Sequence, residues 1–190
     1  ETVPDVEHPG GRALVRERIA ALDGARRYKE ALALREALAQ VEPPTNWTAR
    51  RALARARFRG RNYEGAVALY RQLHGPPAQA SGSARDLFED ALGTSRTGDY
   101  DTAAVIYQRL VDQHPGTGRA ITAHYKLGYL EVDRGDHAAA RPLLRAHLAR
   151  HPASPHADEA RWWLGWGHFV QGDDAAAIDA WDALIRSNPR

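Results

Sequence analysis

The chain has 190 residues, 43% of them hydrophobic and 26% charged, with neither Cys nor Met. This suits one domain or one short repeat array, and the lack of cysteine excludes disulfides, thiol chemistry and Cys-based metal sites. The net charge of +2 is too small to argue for nucleic acid, and no apolar run approaches the roughly 20 residues that cross a bilayer.

The charge is unevenly spread. Residues 1–80 hold 14 Lys/Arg against 9 Asp/Glu, a net of +5, and residues 81–190 hold 12 against 15, a net of −3. The first residue is Glu1, not Met, so a missing signal segment says nothing about export. Residues 1–10 (ETVPDVEHPG) carry two prolines and no periodicity, and read as a mobile leader. A helix is expected from about Arg12 to Leu22, breaking near Asp23–Gly24, and a second from Arg26 to Val41, stopped by Pro43–Pro44. The next pair spans about Asn46–Arg59, with Gly60 as its C-terminal cap, and Asn62–Leu73. Gly75–Gly82 (GPPAQASG) is the one obvious linker. Ser83 opens the third pair, with Asp86 at capping-box spacing.

From there the turns repeat. Gly98–Asp99, Gly135–Asp136 and Gly172–Asp173 each precede a B helix. The Gly takes a left-handed backbone and the Asp accepts from orphan N–H groups. Ser154–Pro155 reads as N-cap and first helical residue. Three further ladders keep the 37-residue interval: Ala66, Ala103, Ala140 and Ala177; Pro115, Pro152 and Pro189; and Tyr70, Tyr107, Leu144 and Trp181. A weaker copy, Tyr28, Ala31 and Pro43, precedes them at an offset of 35. Five helix pairs follow, at about 12–44, 47–78, 84–115, 121–152 and 158–189, within a domain spanning 11–190. Chains of this kind stack each unit mainly on its neighbours.

The last copy carries the Leu-Gly pair Leu164–Gly165, the small Ala177, the aromatic Trp181 and the closing Pro189 at their expected spacing. It resembles a tetratricopeptide (TPR) repeat. The resemblance implies an all-α, right-handed α-solenoid. The longer linkers HPGTGRAITA and HPASPHADEA, followed by YKLG and WWLG, resemble TPR-like repeats of bacterial envelope proteins. Those include the Tol–Pal coordinator, outer-membrane assembly lipoproteins and the superhelix of soluble lytic transglycosylases. That resemblance implies a periplasmic or cell-envelope setting, although nothing in the sequence excludes the cytoplasm. The alternative function it implies is a superhelix that positions peptidoglycan for a lytic enzyme.

In such repeats the A helices line a concave face that holds a peptide. Carried over residue by residue, the resemblance assigns that face to Arg51 and Arg55, Phe88 and Leu92, Tyr125 and Tyr129, and Trp162 and Trp166, with Arg16 as the counterpart in the first repeat. The expected groove is basic at its N-terminal end, suiting an acidic segment, and aromatic at its C-terminal end. Aromatics at helical spacing also serve as core between helices, a reading open for Tyr125 and Trp162. Three Trp residues in five positions exceed what one helix buries, which favours Trp166 as a contact. Arg51, Arg55 and Arg59 share a helix face, which reads equally as a solvated face.

His147 and His151 are four apart, but RAHLARHP lacks the Glu of a zinc-protease helix. No nucleophile stands with a base, no phosphate loop appears, and no Glu-Ser dipeptide of a lytic transglycosylase is present. The expectation is a non-catalytic scaffold for a protein or peptide partner, without cofactor, metal, nucleic acid or membrane insertion. Trp181, Leu184 and Ile185 on the last helix point to an uncapped apolar face, expected to be covered by further sequence, a partner or another copy of the chain through self-association.

Overall fold

The computed structural model describes residues 6–187. Among these, the regular elements are ten α-helices and one 3-10 turn. They are α1 Pro9–Gly24, α2 Tyr28–Val41, α3 Trp47–Arg59, α4 Tyr63–His74, the turn Pro77–Gln79, α5 Ala84–Arg96, α6 Tyr100–Gln113, α7 Gly118–Asp133, α8 His137–Arg150, α9 Ala157–Phe169 and α10 Asp174–Ser187. Each odd-numbered A helix pairs with the B helix after it, and each B helix packs on the next A helix. The result is an all-helical solenoid. None of the described helices is long and apolar enough to cross a membrane.

The 37-residue period comes from the turns. Gly98, Gly135 and Gly172 adopt φ of 88°, 79° and 75°, where a Cβ would be strained. The following Asp99, Asp136 and Asp173 accept from Thr102, Ala139 and Ala176 N–H at 3.1, 2.9 and 3.3 Å. The three B helices after them therefore start at 100, 137 and 174 and end at 113, 150 and 187, in register. The A helices end nearly in step, at 96, 133 and 169, but start at 84, 118 and 157. Thr117 caps α7 early by accepting from Ala120 N–H at 3.2 Å. Ser154–Pro155 does not open α9 as expected. Ser154 Oγ instead lies 2.7 Å from His147 Nε2 and accepts from His156 N–H at 3.2 Å, so α9 starts at Ala157.

The first two repeats depart from the sequence expectation in other ways. The first helix begins at Pro9, so the last two residues of the expected leader are helical; residues 1–5, like Pro189, lie outside the described residues. Gly60 is the C-cap of α3 but has φ −75°. The left-handed residue is Arg61, at φ 66°, with Arg26 at 58° in the turn before. Gly60 is small for another reason: a Cβ there would lie 2.6 Å from Leu32 Cδ2.

Within the last two pairs, a glycine on the A helix receives a large side chain from the B helix. A Cβ on Gly128 would meet Leu144 Cδ2 at 2.8 Å, and one on Gly165 would meet Trp181 Nε1 at 2.3 Å. The laddered Ala31, Ala66, Ala103, Ala140 and Ala177 are all buried. Ser83 caps α5, accepting from Asp86 N–H at 3.2 Å and donating to its carboxylate at 2.8 Å. The Gly75–Gly82 linker is packed in place. Ala80 is buried, Gln113 donates to its carbonyl at 2.8 Å, and a Cβ on Gly82 would lie 2.9 Å from the His74 ring.

Candidate functional site

The positions assigned to a ligand groove turn out to be where one repeat meets the next A helix. Arg51 Nε lies 3.0 Å from Asp86 Oδ2, and Arg55 Nη2 lies 2.8 Å from Asp86 Oδ1. Asp86, on α5, is fully buried. Both arginines of the expected basic end thus share one buried carboxylate, while remaining partly exposed. Arg59 lies over the Tyr28 ring at 5.4 Å, Arg57 pairs with Glu36 at 3.2 Å and Arg16 pairs with Glu42. The arginine run is therefore largely structural rather than a solvated stripe.

Phe88 and Leu92 are half-buried against a cluster that includes Ala120, Ala123 and Leu127 of α7. Tyr125 is buried and stacks on His156 at 4.7 Å with an interplanar angle of 3°. It is core, not a ligand contact. Tyr129 meets Trp163 of α9 edge-on at 5.9 Å and keeps one side open. Trp162 and Trp166 occupy the same repeat position one unit later, where no described helix follows, and both are exposed.

The structure brings two of the expected groove residues, Leu92 and Tyr129, together with others that the sequence reading passed over. Between α5 and α7 lies a cavity of about 200 Å³ lined by Leu92, Ser95, Arg96, Tyr100, Lys126, Tyr129 and Asp133, among others. Lys126 Nζ sits 4.4 Å from the Tyr129 ring centre and 5.6 Å from that of Tyr125. Burial lowers its pKa, with Glu159 and Asp133 pulling the other way and Arg96 adding to the fall. A cation held over aromatic faces and partly stripped of water favours an arriving carboxylate. The one available signal was compositional: Lys126 is one of only two lysines in an arginine-rich chain.

Two buried polar clusters accompany it. At the α4–α5 junction, Tyr70 Oη donates to Glu89 at 2.5 Å, and Arg71 Nε stands 3.8 Å from the fully buried Asp90. Burial raises Asp90 to about 6 despite Arg71. At the α7–α8–α9 junction, His124, His147 and His151 lie with ring centres 5.4 to 5.7 Å apart. Burial and the neighbouring histidines push His147 down to about 4, and His124 and His151 are lowered mainly by burial. Among the described residues, no group of three His, Cys, Asp or Glu is arranged to hold a metal ion.

Comparison with known proteins places this geometry. The family model described as a tetratricopeptide repeat matches residues 18–84, 95–155 and 125–190. No curated protein sequence matches significantly. Similar solved structures include MamA 41-end from Desulfovibrio magneticus RS-1, at 14% identity and a TM-score of 0.67, covering 100% of both chains. A Podosopora anserina putative kinesin light chain with nearly identical TPR-like repeats has 17% identity and a TM-score of 0.64, covering 97% of this chain and 100% of its own. YrrB, described as a TPR protein with an unusual peptide-binding site, has 14% identity and a TM-score of 0.63, covering 90% of this chain and 83% of its own. At such identities these likenesses show the fold alone. With three family matches spanning most of its length and a helix-pair solenoid to go with them, the chain belongs to the tetratricopeptide repeat family.

Proposed function

We propose that this chain is a non-catalytic binding module that captures a peptide or protein segment across the α5–α7 surface. The carrying observation is the cavity between those helices, where Arg96 and Lys126 stand beside the apolar faces of Leu92 and Tyr129. An acidic side chain enters between the two cations. Pairing with it offsets the desolvation of Lys126. A neighbouring apolar side chain rests on Tyr129, whose ring supplies contact area at low entropy cost. The unusual peptide-binding site described for YrrB accords with this use of the fold. The acidic segment first expected at Arg51 and Arg55 moves two helices along the stack, because Asp86 already occupies those arginines.

The envelope setting rests on the linker resemblance alone. The alternative of glycan positioning has one supporting feature, the exposed Trp162 and Trp166, whose ring faces suit sugars.

The test is fluorescence polarisation with labelled decapeptides, each carrying one aromatic residue and either three glutamates or three glutamines. The glutamate peptide should bind more tightly, and Lys126→Met should remove most of that preference. Added salt should weaken the glutamate peptide more, since exposed ion pairs are screened over about 10 Å at 0.1 M. Equal affinity for both peptides, unchanged in the variant, would contradict the reading.

A further inference from the structure

The turn between α3 and α4 carries an arginine where the later turns carry glycine. At 37-residue offsets Arg61 is followed by Gly98, Gly135 and Gly172. All four are left-handed, at φ of 66°, 88°, 79° and 75°. The turns are otherwise alike. Arg61 N–H donates to Phe58 O at 3.1 Å and Asn62 N–H to Arg57 O at 2.9 Å, as Gly98 does to Ser95 and Asp99 to Thr94. A side chain is strained at this φ and glycine is not, so the turn itself gains nothing from an arginine there.

Its neighbours are engaged. Arg57 pairs with Glu36 at 3.2 Å, Arg59 lies over the Tyr28 ring and Arg134 pairs with Asp101 at 2.5 Å. The Arg61 side chain is exposed and forms no ion pair or hydrogen bond among the described residues. What it faces is an open cleft of about 400 Å³ lined by Arg61, Asn62, Tyr63, Glu64, Arg96 and Thr97. Arg96, at the end of α5, is likewise exposed and without an ion pair. Two guanidinium groups on one cleft can grip a carboxylate through charge-assisted N–H donors. The first turn of α4 lies on the same wall, and its positive end favours an anion. Glu64, which is exposed, is the one carboxylate of the lining.

Arg96 also lines the α5–α7 cavity beside Lys126. The two openings thus share one side chain as a wall, and the cations run from Lys126 on α7 through Arg96 to Arg61. We infer that the α3–α4 cleft is a second acid subsite, so that the captured segment carries two carboxylates, one between Lys126 and Arg96 and one between Arg96 and Arg61. This rests on the reading of the α5–α7 cavity as the binding site. The two acids stand a few residues apart in an extended segment, which advances roughly 3.3–3.6 Å per residue. Once the first acid is seated, the second binds at the high local concentration that the short tether imposes.

The probes are labelled decapeptides with one aromatic residue. One carries a single glutamate beside it. The others add a second glutamate two, three or four places away on either side, with glutamine elsewhere. By fluorescence polarisation the best-spaced two-acid peptide should bind about fivefold more tightly than the one-acid peptide. Arg61→Gly should abolish that gain, so that both peptides bind alike, and should melt no lower than the wild type because glycine suits the turn. Glu64→Gln should act in the opposite sense and enlarge the gain. Two-acid peptides no tighter than the one-acid peptide at any spacing would overturn the inference, as would a gain that survives Arg61→Gly. Either result leaves the α5–α7 reading standing if Lys126→Met still weakens the one-acid peptide. A one-acid peptide indifferent to Lys126→Met, with the gain still lost in Arg61→Gly, would sink the α5–α7 reading and keep the cleft as the acid site. Binding by none of the peptides would overturn both.

Discussion

Asp86 and Asp90 sit one helical turn apart on α5, both fully buried, yet they differ in how they are held. Asp86 takes contacts from Arg51, Arg55 and Ser83. Removing it strands two cations that reach only partly into water. Asp86→Ala should therefore lower stability by roughly 2–4 kcal/mol, read from chemical denaturation. Asp90 has one distant cation and a Thr94 hydroxyl at 3.4 Å. Its folded pKa of about 6 stands above the ordinary 3.8, because burial disfavours its charge. The stabilising, protonated form is fully present below pH 3.8 and is lost as pH rises through 6, so at pH 7 the residue costs about 3 kcal/mol. Asp90→Asn should raise the melting temperature at pH 8 and give little gain at pH 4.5. A uniform change at both values would contradict this account. The clue was in the repeat columns: at offsets of 37, Leu127 and Leu164 stand where Asp90 does. An acid in a leucine column was legible, but its arginine partner across the junction was not.

Single helices were read well where their ends are made locally. The Gly-Asp turns hold at all three predicted places because a left-handed Gly and a capping Asp need only their immediate neighbours. Gly60 caps α3 as expected, though what keeps it small is Leu32 of another helix. The end set by a tertiary contact was missed: Ser154 is drawn away from α9 by His147 of α8. The same close packing makes Gly165→Ala costly. The added methyl meets the Trp181 indole, and overpacking of this kind costs about 1–3 kcal/mol. A stable Gly165→Ala chain would show that α10 shifts freely on α9.

Helix α8 carries a second test. His147 fills the slot that Leu110 fills in the previous repeat. Its folded pKa of about 4 lies below the usual 6.5, so its neutral form supports the fold above pH 6.5 and that support is lost as pH falls towards 4. His124 and His151 shift in the same direction. Arg150 bears on both of these, and Glu159 holds His156 at 2.8 Å. His147→Leu should take up about one proton fewer on unfolding between pH 6.5 and 4, seen as a shallower fall of stability with acid. Parallel curves for variant and wild type would remove the cluster as the cause.

For the whole molecule, period and pairing were legible because stacking repeats one local pattern, and four ladders at one interval carried it. The binding surface was not, because the same pattern describes two different faces of an A helix. Positions two before and two after the leading Leu follow the repeat faithfully, and in this stack they meet the next helix. Lys126 lies one place beyond Tyr125, so a rotation of about 100° about the helix separates a core ring from a pocket cation. The proposed binding residues are those of the α5–α7 cavity, and the most direct measurement is an amide chemical-shift map of the chain titrated with the glutamate decapeptide. The account predicts perturbations centred on Ser95, Arg96, Lys126, Tyr129 and Asp133, with Arg51 and Arg55 unmoved. Perturbations centred on Arg51 and Arg55 with a silent α5–α7 cavity would contradict it.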